Sequence, residues 1–234
     1  MEGSHKREHT KARIINKSLE FVKSRSLEDF SVREVSKELG INIASINYYF
    51  SNKENLLGEV VKTVWNTSSD QIENLYLEEL EKEKWSFVDF FEKLFDYAHE
   101  ISDLLAFVIK HALNSNLNVD RNFVSIYDSE YPTPPGTKTY RKVFIKELGP
   151  HVPETEIQKC IHTFASFLTF DSALQYSNIM DKDRHNLDDH PILGKKARKE
   201  SFMKMIKYQI EDFDFENVYR CGDAKIKIKK PFWL

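Results

Sequence analysis

Apolar residues return at three- and four-residue steps over most of this chain, which is the period of an amphipathic α-helix. Ala12, Ile15, Leu19 and Val22, with Ile14, Ser18 and Phe21 beside them, predict a helix over 9–25. Ser31-Val-Arg-Glu34 reads as a capping box, the hydroxyl accepting an amide hydrogen bond while the carboxylate reaches back. It opens a short helix with Val32, Val35 and Leu39 facing inward. Gly40 ends that helix, since a left-handed backbone costs glycine least. Asn42 is a natural N-cap for a second short helix running to Phe50. Ser51-Asn-Lys-Glu54 is another capping box, and Leu56, Leu57, Val60, Val61 and Val64 carry a longer helix beyond it.

Two short helices joined by a glycine turn and braced on both sides make a helix-turn-helix arrangement. The flanking helices build a small core, which leaves the second short helix free to enter a major groove. On pattern alone, plain helix packing stays open as the other reading.

Longer helices follow. The charged stretch Glu73 to Glu83 either continues the helix from Lys53 or breaks into a linker. Trp85 to Asn114 is densely apolar, through Phe87, Phe90, Phe91, Leu94, Phe95, Leu104, Leu105 and Val108, with a break near Glu100 to Asp103. Leu117 to Gly136 is a connection, because Tyr131-Pro-Thr-Pro-Pro-Gly136 cannot be helix interior. Helices are expected over Lys138 to Leu148, Glu154 to Ile179 and Ile192 to Phe213, with polar residues Asp181 to Asp189 between the last two. Asp214 to Leu234 has no helical period; Ala224-Lys-Ile-Lys-Ile-Lys alternates like an exposed strand. The fold class is therefore all-α.

Composition agrees. Seven Gly and seven Pro in 234 residues are too few for a sandwich or barrel, and 41% hydrophobic residues suffice for a core. Residues 1–53 carry ten Lys/Arg against seven Asp/Glu, while the rest carries twenty-four against thirty. A basic end on an acidic body suits a polyanion at one end only. No apolar run reaches membrane-span length, and Met1 to Arg13 is charged rather than signal-like, so a cytoplasmic protein with no membrane partner is expected. Cys160 and Cys221 form no metal or redox spacing and read as reduced thiols.

The stretch Arg13 to Leu57 resembles the DNA-binding domain of the TetR family of transcriptional regulators. The likeness runs through Arg13-Ile-Ile, Leu19-Glu-Phe-Val, Phe30-Ser-Val-Arg-Glu-Val-Ser and Leu39-Gly-Ile. Its most distinctive piece is Asn42-Ile-Ala-Ser-Ile-Asn-Tyr-Tyr-Phe-Ser-Asn-Lys-Glu-Asn-Leu-Leu57. Ser26 stands where glycine is usual, Lys17-Ser18 where two alanines are, and Asn47 where tyrosine is frequent. Asn47 matters most, because it lies on the groove-facing helix. The resemblance implies about nine helices: a three-helix DNA-binding domain over 1–56, a larger ligand-binding and dimerisation domain over 57–213, and an irregular tail over 214–234.

It also implies roles residue by residue. Ile43, Ala44, Ser45 and Asn47 match base-facing positions, with Asn42 at the start of the same helix. A carboxamide at Asn47 can pair with both major-groove groups of adenine, and Ile43 or Ala44 can touch a thymine methyl. Helix packing is the plain alternative for Ile43 and Ala44. Tyr49 and Lys53 match phosphate-contacting positions, Lys53 at a helix start whose free amides favour an anion. Tyr48 faces the groove edge or the backbone. Ser31 and Arg33 are candidates for further backbone contacts, although capping already accounts for Ser31. Lys6, Arg7 and Lys11 are either a basic arm across phosphates or a solvated leader.

For the body, the resemblance implies a homodimer through the last two long helices. Ile157, Ile161, Phe164, Leu168 and Leu174, with Phe167 and Phe170 around them, are the expected interface stripe; a monomer core would look the same. It further implies a small-molecule effector, expected to be hydrophobic or aromatic, near Phe91, Phe95, Phe107, His111, Phe167 and Asp171, and operator DNA as partner, pseudo-palindromic for a two-fold protein.

No Gly-rich phosphate loop, nucleophile elbow or helix-borne His-Glu-x-x-His is present, so no enzyme and no cofactor are expected. The metal-like cluster Asp181, Asp183, His185, Asp188, Asp189 and His190 reads as a solvated loop, and no metal is expected. The rival function is a TetR-fold interaction protein acting through a protein partner, with the tail residues Ile226, Ile228, Phe232, Trp233 and Leu234 adding a strand to that partner.

Overall fold

The structure is a computed structural model and describes residues 2–24, 30–113, 134–176 and 190–211. Those residues form nine helices: α1 (Glu2–Ser24), α2 (Val32–Leu39), α3 (Ile43–Phe50), α4 (Lys53–Leu80), α5 (Phe87–Glu100), α6 (Ser102–Leu113), α7 (Thr137–Leu148), α8 (Glu154–Tyr176) and α9 (Lys195–Glu211). The expected strand-like tail, the acidic-histidine cluster before His190 and most of the Pro-rich connection lie outside the described residues.

The helices gather into two compact units. One unit holds α1, α2, α3, α4 as far as Thr67, and α6; the other holds α4 from Ser68, α5, α7, α8 and α9. The charged stretch after Glu73 continues α4 to Leu80 rather than breaking at once.

In the first unit, Ile14, Phe21, Val35, Ile46, Phe50, Leu56, Val60 and Val61 form one buried core that also takes in Leu104 and Phe107 from α6. The apolar stripe of α1 is set slightly differently from its sequence reading. Ile14, Ile15, Phe21 and Val22 are buried and Ala12 is exposed. Ser18 is fully buried, and its hydroxyl donates to the Ile14 carbonyl at 2.8 Å, which satisfies it within the helix. The basic segment before residue 9 is neither a trailing arm nor a loose leader, because α1 already begins at Glu2.

The second unit is built on aromatic rings. Phe91 lies 4.7 Å from Phe87, 5.2 Å from both Phe90 and Phe164, and 5.9 Å from Phe144, mostly edge-on or tilted. Such contacts add about 0.5–1.5 kcal/mol per pair beyond burial. Ile157, Ile161, Phe164 and Leu168 of α8 are buried in this core. The stripe expected at a dimer interface is thus largely the unit's own interior, against which α5, α7 and α9 pack. Phe170 alone of the expected set is strongly exposed, at 66%. Cys160 is a buried free thiol, with burial pushing its pKa up to about 11.

Candidate nucleic-acid interface

The turn between α2 and α3 forms as glycine demands. Gly40 sits at φ 65°, ψ 31°, and its amide donates to the Lys37 carbonyl. Asn42 then caps α3, its side-chain oxygen accepting the Ala44 amide at 2.8 Å. Ser31 does not behave as expected. It occupies the N-cap of α2 with an extended backbone, but its hydroxyl makes no capping hydrogen bond; only its carbonyl accepts, from Val35. Half-buried Ser31 is therefore without the capping role that accounted for it in the sequence.

The second capping box is displaced by one residue. The Asn52 side chain accepts the Asn55 amide at 2.8 Å, so Asn52 caps α4. Ser51 has φ 66° and ψ −45°, while the Asn52 amide donates across it to the Phe50 carbonyl at 2.8 Å. That two-residue span with positive φ is a γ-turn, a strained form. An N-cap needs extended backbone, which Ser51 lacks, so capping passes to its neighbour.

Held this way, α3 divides cleanly. Ile46 and Phe50, four residues apart, are buried, and Tyr49 packs partly against the same core. Ile43, Ala44 and Asn47 are exposed, Tyr48 is 67% exposed, and Ser45 is intermediate. Asn42 and, on α2, Arg33 are exposed as well. Of the residues expected to read bases, Ile43, Ala44 and Asn47 are solvent-exposed and Ser45 is half-buried.

Lys53 is more occupied than the sequence suggests. Its ammonium donates to the Phe30 carbonyl at 2.8 Å and lies 5.5 Å from the Phe30 ring centre. An ammonium has three donors, so a phosphate contact remains compatible with this tie. Three contacts escaped the sequence. The Arg7 guanidinium lies 5.2 Å over the Tyr48 ring, and Lys11 bridges to Glu59 at 3.0 Å while lying 5.8 Å from the Phe50 ring. Residues 7 and 48 share no local pattern; only the packing of α1 beside α3 joins them.

The residues expected to meet a ligand are distributed over both units. Phe107 belongs to the first unit's core, whereas Phe91 and Phe95 are fully enclosed in the second. Half-buried Phe167 touches Phe202 at 5.5 Å. Asp171 is buried and ion-paired with Arg198, and Gln175 donates to it at 2.8 Å. The side chain of His111 lies outside the described residues.

An all-α chain that presents a short helix this way across a glycine turn is a helix-turn-helix protein of the DNA-binding class. Residues 14–60 match the family described as bacterial regulatory proteins, tetR family, so the chain carries a TetR-type DNA-binding domain over about a fifth of its length. A crystal structure of a TetR transcriptional regulator from Rhodococcus sp. RHA1 shares the fold, with TM-score 0.51 and 14% identity. The match covers 90% of this chain and 99% of that one. No curated protein matches the chain. That domain marks the chain as a DNA-binding transcription regulator. Among the described residues no helix is long and apolar enough to cross a membrane.

Proposed function

We propose that the chain is a sequence-specific repressor, working as a homodimer on a pseudo-palindromic operator and released by a small hydrophobic or aromatic ligand. The observation that carries the DNA half of this reading is the two-sided burial of α3. Ile46 and Phe50 anchor it, while Ala44 and Asn47 stand clear. On this reading Asn47 selects adenine, Ile43 and Ala44 meet thymine methyls, and Ser45 is also base-facing. Asn42, Tyr48, Tyr49, Lys53, Arg33 and Ser31 hold the backbone. DNA binding belongs to residues 1–56, with α6 bracing them.

For the dimer, support comes from apolar side chains left on the outer surfaces of α8 and α9. Phe170 and Tyr208 are more than half exposed, and Ile192 just before α9 is 72% exposed. For the ligand, Phe167 is the expected aromatic that can be reached without parting the enclosed rings around Phe91. The effector's polar anchor is then a group other than Asp171, which Arg198 already satisfies.

The test is titration of the protein against DNA flanking its own gene, at two salt concentrations, beside Asn47→Ala and Lys53→Ala. Tight, salt-sensitive binding to a discrete palindromic fragment is expected. Asn47→Ala should lose preference for that fragment, and Lys53→Ala should weaken all binding with a shallower salt dependence. Weak binding that is equal on unrelated DNA would refute sequence-specific repression.

A further inference from the structure

We propose that Arg7 and Tyr48 act together as a phosphate clamp, through which the first helix joins the recognition helix in holding DNA. This rests on the DNA-binding reading above and adds to it a contact from outside the matched family segment, which begins at residue 14.

Three observations place it. First, the Arg7 guanidinium lies 5.2 Å over the ring of Tyr48, which is 67% exposed on the helix that also presents Ala44 and Asn47. Second, the neighbouring cations are engaged within the unit: Lys11 with Glu59 and Lys53 with the Phe30 carbonyl. Arg7 is exposed, and no carboxylate pairs with it among the described residues. Third, the Lys11 contacts to Glu59 and the Phe50 ring tie α1 down one turn further along, so Arg7 is presented from an anchored helix.

The chemistry follows from the shape of the guanidinium. It stacks on an aromatic ring through its flat face and keeps its N–H donors in the plane, where they can grip a phosphate bidentately. The ring limits the rotamers of a long side chain, and Tyr48 gains a fixed partner for its own hydroxyl to work beside. The clamp reads no sequence. It adds affinity equally to every duplex.

The experiment measures binding of the full chain to two duplexes, one of mixed sequence and one from the flank of its own gene, across a salt series. Variants are Arg7→Ala, Arg7→Lys, Tyr48→Ala and the double alanine, each checked for an unchanged melting temperature. Arg7→Ala should weaken both duplexes by about tenfold, as expected for one charge-assisted contact, and lower the salt slope by about one. Arg7→Lys should keep the slope, because the charge remains, yet bind more weakly. Tyr48→Ala should cost much less in the Arg7→Ala background than alone. A wild-type slope and affinity in Arg7→Ala would overturn the clamp, as would a loss confined to the flanking duplex. Failure of the wild-type chain to bind either duplex would overturn the DNA-binding reading itself, and the clamp with it.

Discussion

Arg198 on α9 donates to Asp171 on α8 at 2.5 Å, with the two side chains only 9% and 6% exposed. A second nitrogen of the same guanidinium donates to the Leu193 carbonyl, and Gln175 donates to the other Asp171 oxygen. Both charges are thereby compensated inside the second unit. Removing one partner leaves the other buried and unpaired, which costs about 3–5 kcal/mol. Asp171→Ala should therefore unfold at markedly lower urea concentration, whereas Asp171→Leu with Arg198→Met should recover most of the loss. An unshifted midpoint in Asp171→Ala would show that the pair is not structural.

Gly136 precedes α7 at φ 81°, and a Cβ there would come within 2.8 Å of two Ile72 side-chain carbons. Gly40 has a similar φ of 65°, but nothing lies within 4 Å of its Cβ position. Alanine at Gly40 meets only the left-handed backbone cost, about 1–2 kcal/mol. At Gly136 the same cost is joined by a clash worth about 1–3 kcal/mol more. Gly136→Ala should thus be the more destabilising in thermal melts. Equal losses would mean that Ile72 yields without cost.

The γ-turn at Ser51 carries strain that a glycine would not feel. Ser51→Gly should raise stability by up to about 1 kcal/mol, measured as a shift in denaturant midpoint. Ser51→Pro should be severely destabilising, since proline cannot adopt φ 66° and lacks the amide that donates to Asn47. A Ser51→Gly protein less stable than wild type would contradict the strain.

His99 stacks on Phe95, and burial holds its pKa below the ordinary 6.5, helped by the positive Lys195 and Arg198. Asp171 and Asp96 oppose this without reversing it. The unfolded chain therefore takes up a proton more readily than the folded one. The stability that neutral His99 contributes is complete above pH 6.5 and is lost as pH falls through the lower folded value. Unfolding midpoints of the wild type should decline over that window more steeply than those of His99→Gln. Parallel declines would assign the acid sensitivity to other groups.

Much of the first unit was legible in the chain itself. Helix α2 and the turn after it follow from local signals, Gly40 for the left-handed residue and Asn42 for the cap, because these depend on neighbours within four residues. The solvent side of α3 follows from the four-residue spacing of Ile46 and Phe50. Tertiary structure decided what local spacing leaves undetermined. Ser31 and Ser51 have the residue types of caps, but the backbone that would use them is set by how the flanking helices pack. The Ile157, Ile161, Phe164 and Leu168 stripe fits a subunit interface or an interior equally well, since burial lowers free energy on either surface, and only the packing of α5, α7 and α9 made it interior. Arg7 on Tyr48, Lys53 on Phe30 and Asp171 on Arg198 join residues 23 to 41 apart in sequence. Side-chain contacts at that separation have no period to read, because they exist only once the helices have chosen their neighbours.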